Sequence, residues 1–263
     1  MKKKELIIIG ILTVLLAFMD ITGLPCALFV NVQIADVTPI YWTLMLNFVV
    51  IGIVAFLTLK FLCPNWKLGF TKNGIISGLK KYGLAGLITG LVTGIAFYVG
   101  LQPFDYEPTV LKVLIEGVIY YIGVAIVEEL YVRGLLLNLI EKMFSKSKNN
   151  TAIAIISSSV IFGLGHIVGT LGQPILVIIT KVIWTIALGM YFGVIYKKTN
   201  NLWLPIILHF VINICALPYC FTTMQGYADI SLIIILPLYI ALGVYSVIVM
   251  RSNKLTLVKP KIK

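Results

Sequence analysis

The stretch IGVAIVEELYVRGLLL, residues 122–137, decides the fold of this chain. Its apolar residues are typical of a helix that crosses a bilayer, yet it also carries Glu128, Glu129 and Arg133. One charge at the centre of a membrane helix costs about 3 kcal/mol on insertion scales. Three charges in six residues therefore predict partners on other helices and a functional reason for their presence.

The composition of the whole chain is that of a membrane protein. Of its 263 residues, 60% are hydrophobic and 12% are charged, and the mean hydropathy is +1.03. Soluble domains carry about 25% charged residues. The net charge of +11 fits lysines kept on the cytoplasmic side of a membrane, and no motif for RNA binding accompanies it. We therefore expect an all-α polytopic membrane protein in a lipid bilayer, without a nucleic-acid partner.

Eight stretches are long and apolar enough to cross a bilayer, which takes about 20 residues. They are residues 5–27, 41–62, 82–101, 109–140, 152–171, 175–196, 202–220 and 231–250. Lysines lie before each odd-numbered span and after the last one, whereas the opposite connectors contain no Lys or Arg. This alternation predicts that both termini are cytoplasmic. We expect a single membrane domain over residues 1–263 of a multi-pass protein in a bacterial cell membrane.

Smaller features complete the predicted topology. Residues 65–81 mix apolar and basic side chains and predict an interfacial helix on the cytoplasmic leaflet. The N-terminal run lacks a clean small-residue cleavage site, which favours a retained first helix over a signal peptide. The four cysteines form no CxxC pair, so we expect no thiolate metal cluster. Cys215 and Cys220 are near enough in sequence to form a disulfide. We expect instead that all four cysteines pack as apolar side chains.

The spacing of the charges in the fourth span separates their roles. Residues four apart share a helix face, whereas neighbours diverge by about 100°. Glu129 and Arg133 are therefore expected to form an ion pair. Glu128 points elsewhere and has no local partner, which suits a buried carboxylate that acts as an acid or a base. A charged cluster at a helix end is the alternative, but the apolar residues through Ile140 disfavour it.

The only two histidines, His166 and His209, both fall within predicted spans. Glycines in the sequence FGLGH, residues 162–166, would let a backbone or a substrate approach the His166 ring. His209 and Asn213 lie four residues apart, so one helix face presents two hydrogen-bond donors that could hold an oxyanion. Structural roles are the alternative for these residues. The two histidines would then lie in the core and bond to backbone carbonyls, and Asn213 would form a hydrogen bond to a neighbouring helix.

Other charged groups in the spans are expected to be structural. Lys112 and Glu116 have the spacing of an ion pair. Lys181 would extend its ammonium group towards the membrane surface or reach Glu116. Asp20 in the first span has no visible partner in the sequence.

Three short motifs thus stand in order on three spans: Glu128-Glu129-x-x-x-Arg133, Phe162-x-x-x-His166 and His209-x-x-x-Asn213. Together they resemble the CPBP family, which comprises CAAX proteases and bacteriocin-processing enzymes and is also called the Abi family. The resemblance covers about residues 110–220. It implies an intramembrane protease similar to CAAX prenyl protease 2, with that segment as its catalytic core and a peptide or membrane-associated protein as its substrate.

The resemblance also implies a role for each motif residue. Glu128, aided by His166, would activate the attacking water. His209 and Asn213 would stabilise the oxyanion that forms on the peptide carbonyl. The neighbouring glutamate–arginine pair would hold the fourth helix in place.

The sequence leaves the metal question and two other functions open. Glu128, His166 and His209 would supply a zinc triad with water as the fourth ligand, as in a metalloprotease. No HExxH motif is present, and a metal-free water activated by glutamate needs the same residues. A non-catalytic bacteriocin-immunity or regulatory protein is the first alternative function. An ion-coupled transporter is the second, and the absence of an internal repeat disfavours it.

Overall fold

Helices form all of the regular structure in the described part of the chain, which comprises residues 3–24, 26–29, 39–100, 109–218 and 229–252 of the computed structural model. The all-α prediction is confirmed. In chain order the α-helices are α1 (Lys3–Thr22), α2 (Pro39–Leu62), α3 (Ile75–Gly78), α4 (Leu84–Val99), α5 (Val110–Glu129), α6 (Asn138–Met143), α7 (Asn150–Gly165), α8 (Ile175–Thr199), α9 (Trp203–Cys215) and α10 (Asp229–Arg251). Short 3-10 turns occur at Cys26–Phe29 and Val168–Thr170, and π-helical turns at Leu79–Gly83 and Leu130–Leu137.

Seven helical segments among the described residues are long and apolar enough to cross a membrane. The π-helical turns join α3 to α4 and α5 to α6, giving the continuous segments 75–99 and 110–143. α9 is shorter: its 13 residues span about 20 Å, less than the hydrocarbon core of about 30 Å. The seventh span, predicted over 202–220, thus ends early as an α-helix at Cys215, and residues 217 and 218 are in 3-10 geometry. The side on which the termini lie stays a prediction from the lysines.

The loop before α3 corrects one prediction. Residues 65–74 are not helical, so the interfacial helix expected over 65–81 is wrong there. Gly69 has a φ of 72°, in the left-handed region that interrupts a helix. The loop is instead bonded to the α8–α9 connection, where the Asn201 amide donates to two of its carbonyls at 2.9 and 3.0 Å. Residues 75–81 of the predicted interfacial helix are helical, but they form the start of the third span, which begins at Ile75.

The fourth span widens at its charged motif. α5 ends at Glu129, and residues 130–137 continue in π-helical turns before α6 begins. The Asn138 amide donates to the carbonyls of Arg133 and Gly134 at 3.1 and 3.0 Å, which gives two main-chain groups of this region a side-chain partner. The apolar spacing predicted a regular helix here. π-helical turns inside longer helices occur frequently at functional sites.

The buried apolar residues form two clusters. The first lies mainly on α1, α2, the α5–α6 segment and α7, and the second mainly on α4, α8, α9 and α10. α4 packs closely on α9, and the glycine at position 94 is needed there because a side chain would collide with the Cys215 carbonyl. Many large apolar side chains are exposed on the outside, as contact with lipid requires. The protein is therefore an integral, multi-pass membrane protein.

Three of the four cysteines lie in the described part of the chain. Cys26, Cys63 and Cys215 are free thiols, and the first two are buried. Cys220 lies outside the described residues, and so does the disulfide considered for it.

Candidate active site

A cavity of about 640 Å³ is lined by both apolar clusters. Phe48 and Val132 of the first cluster contribute to its wall, as do Phe97 and Trp184 of the second. Four of the six predicted site residues also line it, and we call these four the cavity wall: Glu128, His166, His209 and Asn213. They come from α5, from the end of α7 and from α9. The tertiary structure therefore brings together what the sequence keeps on three spans.

The other two predicted residues, Glu129 and Arg133, form the expected ion pair, which we call the ion-pair core. Arg133 Nη1 donates to Glu129 Oε1 at 2.9 Å, and their side chains are 1% and 0% exposed. Arg133 Nη2 also donates to the Gly189 carbonyl at 3.2 Å. The guanidinium lies over the rings of Phe162 and Phe192, 5.1 and 5.3 Å from their centroids. A buried charge is stable only with such partners, and the pair meets this need through Glu129 Oε1, the Gly189 carbonyl and the two rings.

His209 connects the ion-pair core to the cavity wall. Its Nδ1 lies 2.9 Å from Glu129 Oε1, and its Nε2 lies 3.7 Å from Glu128 Oε2. The Phe192 ring stacks on the imidazole with 4.9 Å between centroids and 23° between planes. Because an ionised carboxylate only accepts hydrogen bonds, Nδ1 is the donor towards Glu129. Spacing along the chain did not predict this contact, since it paired Glu129 with Arg133 alone.

The predicted span 152–171 placed His166 inside a helix. In the structure His166 lies just after the end of α7. α7 ends at Gly165, and the His166 N–H donates to the Gly163 carbonyl at 3.2 Å. The ring Nδ1 donates to the Phe162 carbonyl at 2.9 Å, and the two rings meet edge-on at 4.7 Å. Since a carbonyl only accepts, Nε2 is left as the acceptor nitrogen of a residue that lines the cavity.

Asp20 also lines the cavity, and the structure gives it a partner that the sequence did not reveal. The Tyr131 hydroxyl donates to Asp20 Oδ2 at 2.7 Å, and Tyr131 lines the same cavity. α1 thereby brings a carboxylate to the site from outside the three motifs. The charge inside an apolar span was the available signal. Its partner lies 111 residues away in the sequence, so spacing could not identify it.

Lys181 is a second cavity residue that the sequence placed elsewhere. Glu116, the residue that Lys181 was expected to reach, pairs with Lys112 instead, with 3.9 Å between Lys112 Nζ and Glu116 Oε1. The predicted ion pair of Lys112 and Glu116 is confirmed. The Lys181 ammonium lies 4.1 Å from the centroid of the Trp184 ring, and both residues line the cavity. Lys181 therefore faces the site rather than the membrane surface.

The zinc triad considered for Glu128, His166 and His209 does not assemble. Within the described ranges, no three His, Cys, Asp or Glu side chains are grouped as ligands of one metal ion. The Nδ1 atoms of both histidines are bonded to protein oxygens, which would leave Nε2 as the ligating nitrogen of each ring. As placed, these residues do not fit the three-ligand zinc sites of hydrolases.

Comparison with known families agrees with the motifs. Residues 110–215 match the family model described as type II CAAX prenyl endopeptidase, Rce1-like. The resemblance to the CPBP family is confirmed. The Rce1-like segment runs from α5 to α9 and contains all six predicted site residues. No curated protein matches the chain. At the family level, the Rce1-like match supports a membrane CAAX endopeptidase and thus an intramembrane protease.

Proposed function

We propose that the protein hydrolyses a peptide bond inside the membrane with a water that Glu128 and His166 activate. The observation that supports this most is the meeting of a carboxylate, two imidazoles and an amide in one cavity. Such a set contains a base, a group to orient water and donors for an oxyanion. In this proposal residues 110–220 are the catalytic core of one membrane domain, residues 1–263.

The first step is the attack of water on the scissile carbonyl. A water between the Glu128 carboxylate and the free Nε2 of His166 gives one hydrogen bond to each acceptor. Glu128 takes the proton as the water oxygen bonds to the carbonyl carbon, and His166 fixes the direction of the attack. General-base catalysis of this kind contributes about 10²- to 10⁴-fold to a rate.

The oxyanion that results needs donors, and His209 and Asn213 supply them. In the proposal His209 carries both ring protons: Nδ1–H donates to Glu129 Oε1, and Nε2–H is the donor towards the oxyanion. Asn213 lies one helical turn further along α9 and offers its amide N–H groups. When the intermediate collapses, Glu128 returns its proton to the leaving amine, so the products are a carboxylic acid and an amine.

We infer that the substrate is a peptide or a membrane-associated protein. The cavity is lined by apolar and aromatic side chains, among them Phe48, Tyr120 and Tyr121, on helices that cross the membrane. A chain that lies in or on the bilayer can therefore reach the site without leaving an apolar environment. The composition suits a bacterial membrane, where peptide maturation and bacteriocin processing are reactions of this class.

The test is peptidase activity of the purified protein in detergent on a peptide library. Wild type is compared with Glu128→Gln and His166→Ala, and Glu141→Gln is the control because Glu141 lies on α6 outside the cavity lining. We expect cleavage by wild type and control only. Cleavage by all four proteins would show a contaminant and contradict the proposal. Activity in none of them would favour the bacteriocin-immunity alternative.

A chelator added to the same assay addresses the metal. The proposed mechanism uses protein groups alone, so activity should survive the chelator unchanged. Loss of activity that returns on addition of zinc, with Glu128→Gln still inactive, would keep the peptidase and replace the metal-free mechanism.

A further inference from the structure

The helices around the cavity line it from one end of the bundle. α1, α4, α7 and α9 contribute residues from their C-terminal halves, whereas α2 and α8 contribute residues from their N-terminal parts. The α5–α6 segment contributes residues from its middle, 120–136. Because consecutive spans run in opposite directions, these parts of the helices lie towards the same side of the membrane. The cavity therefore extends from the middle of the bundle towards that side.

Contacts between helices join these ends into one side of the molecule, which we call the cavity face. The Ser231 hydroxyl, at the start of α10, donates to the Ala96 carbonyl near the end of α4 at 2.8 Å. A side chain at Gly165, the last residue of α7, would meet the Ile21 side chain near the end of α1. The ends of α1, α4 and α7 and the start of α10 thus belong to the cavity face.

The opposite ends of the helices are joined by polar contacts of lysine side chains, and we call this side the lysine face. Lys197, near the end of α8, pairs with Glu141 of α6 at 2.6 Å. The Thr151 hydroxyl, at the start of α7, donates to the same carboxylate at 2.6 Å. Lys198 donates to the Ser252 carbonyl, just after α10, at 2.7 Å. The ends of α6, α8 and α10 and the start of α7 therefore lie together on the lysine face.

The part of the bundle between the cavity and the lysine face is filled by side chains. Leu137, Ile155 and Ile195, on three neighbouring segments, are at most 2% exposed. Asn138 donates to the Tyr196 hydroxyl at 3.1 Å and accepts from the lysine that pairs with Glu141 at 2.7 Å. A peptide that entered from the lysine face would have to displace this packing and break these bonds, which is costly in a close-packed interior. The cavity face is thus the side from which a substrate reaches the site.

Charge distinguishes the two faces and predicts their orientation in the membrane. Basic side chains are exposed along the lysine face, among them Lys60, Lys67, Lys142, Lys146, Lys148 and Arg251. Lys112 lies towards the cavity face, where it pairs with Glu116. Basic residues near the ends of membrane helices are retained on the cytoplasmic side. We therefore expect the lysine face in the cytoplasm and the cavity face on the opposite side of the membrane.

We propose that the cavity receives its substrate from the extracytoplasmic side of the membrane, so that the protein cleaves a peptide that has already been exported. The lining of the cavity reaches the cavity face at Ile21, Phe97 and Ala216, each within two residues of the end of its helix. A reaction that carries the peptide across the membrane must precede cleavage. The inference rests on the proposed function, since it names the side from which the substrate of that site comes.

The orientation of the cavity is tested without any cleavage, by labelling single introduced cysteines in intact protoplasts with a maleimide that cannot cross the membrane. Gly169→Cys reports on the cavity, because Gly169 lines it and a side chain there would meet no atom within 4 Å. Ser145→Cys is the matched control, since Ser145 is exposed between α6 and α7 on the lysine face. Labelling of the wild type, which carries the native thiols, is subtracted from both.

We expect Gly169→Cys to be labelled in intact protoplasts and Ser145→Cys to be labelled only after the membrane is permeabilised. Labelling of Gly169→Cys only after permeabilisation would overturn the inference, because the cavity would then face the cytoplasm. Labelling of Ser145→Cys in intact protoplasts would also overturn it, because the lysine face would then lie outside.

Cleavage by membrane vesicles of known orientation tests the side of the substrate. A hydrophilic peptide that wild type cleaves in detergent is added to right-side-out and to inside-out vesicles, and Glu128→Gln vesicles measure the background. Right-side-out vesicles should cleave the peptide without detergent, and inside-out vesicles should cleave it only after detergent opens them. Cleavage by inside-out vesicles alone, or at equal rates in both, would overturn the inference and leave the peptidase in place.

The two experiments separate this inference from the proposed function. If wild type cleaved no peptide even in detergent, the proposed function would fail. The labelling of Gly169→Cys would still decide which side of the membrane the cavity faces, because it requires no catalysis.

Discussion

Glu128 and Glu129 are neighbours in the sequence but belong to two different regions of the molecule. The Glu129 side chain is 0% exposed and accepts from both Arg133 and His209 through one oxygen. The Glu128 side chain is 12% exposed and faces the cavity. One residue of helix rotation therefore separates a buried carboxylate, engaged by a guanidinium and an imidazole through Oε1, from a carboxylate that faces the cavity. The proposed mechanism assigns the proton transfer to the second of these, Glu128.

His209 makes the two regions depend on each other. It contacts the ion-pair core through Nδ1 and the cavity wall through Nε2, so the orientation of a reactive group is set by a buried pair. The comparison predicts that changes to the cavity wall remove activity without unfolding the protein. Changes to the ion-pair core should remove stability first.

The largest effect is expected for Glu128→Gln. The variant keeps the shape of the side chain and loses the base, so kcat should fall about 10³- to 10⁴-fold. The unfolding temperature in detergent should change little, because no ion pair of the core is broken. Peptidase assays and thermal unfolding on the same preparation check both statements. A Glu128→Gln protein that unfolds far earlier than wild type would place Glu128 in the structural region.

Arg133→Met should produce the largest loss of stability. It leaves Glu129 buried without its cation, which lowers the free energy of unfolding by about 3–5 kcal/mol. The control is Lys197→Met, because Lys197 pairs with Glu141 at 2.6 Å where the side chains are 19% and 23% exposed. Water can replace that partner, so the loss should be about 1 kcal/mol. Equal losses in chemical unfolding would show that burial does not distinguish the two pairs.

Asn213→Ala should reduce turnover by less than the loss of the base. Removing one oxyanion donor costs about 10²- to 10³-fold in kcat. KM and the unfolding temperature should stay near their wild-type values, since Asn213 lies on the cavity wall and is only half-buried. Steady-state kinetics separate the two parameters. A pure increase in KM would assign Asn213 to substrate binding rather than to the oxyanion.

Tyr131→Phe is expected to have the smallest effect. It tests whether Asp20 contributes to stability, like the ion-pair core, or to activity, like the cavity wall. It removes the hydroxyl that donates to Asp20 Oδ2 at 2.7 Å and should lower the free energy of unfolding by about 1–3 kcal/mol. Asp20→Asn keeps an acceptor for the tyrosine and should cost less. Thermal unfolding of both variants gives the order. A loss of activity in Asp20→Asn at unchanged stability would move Asp20 into the catalytic machinery.

Sequence reasoning succeeded where a local rule applied. The four-residue spacing of Glu129 and Arg133 gave their ion pair, and the apolar runs gave the helices. It failed where a contact is distant, as for Asp20 with Tyr131, and where the backbone departs from regular geometry, as in the π-helical turns at 130–137. The roles assigned to the cavity-wall residues stay predictions that the variants above test.

The sequence by itself determined the membrane fold, the positions of its helices and the three motifs, because hydropathy and helix periodicity are properties of consecutive residues. Only the tertiary structure decided that His209 bridges Glu128 and Glu129 and that Lys181 faces the cavity. These contacts join residues on different helices, and helix packing sets their distances. A linear pattern specifies which face of a helix is charged, but the neighbouring helix decides what that charge meets.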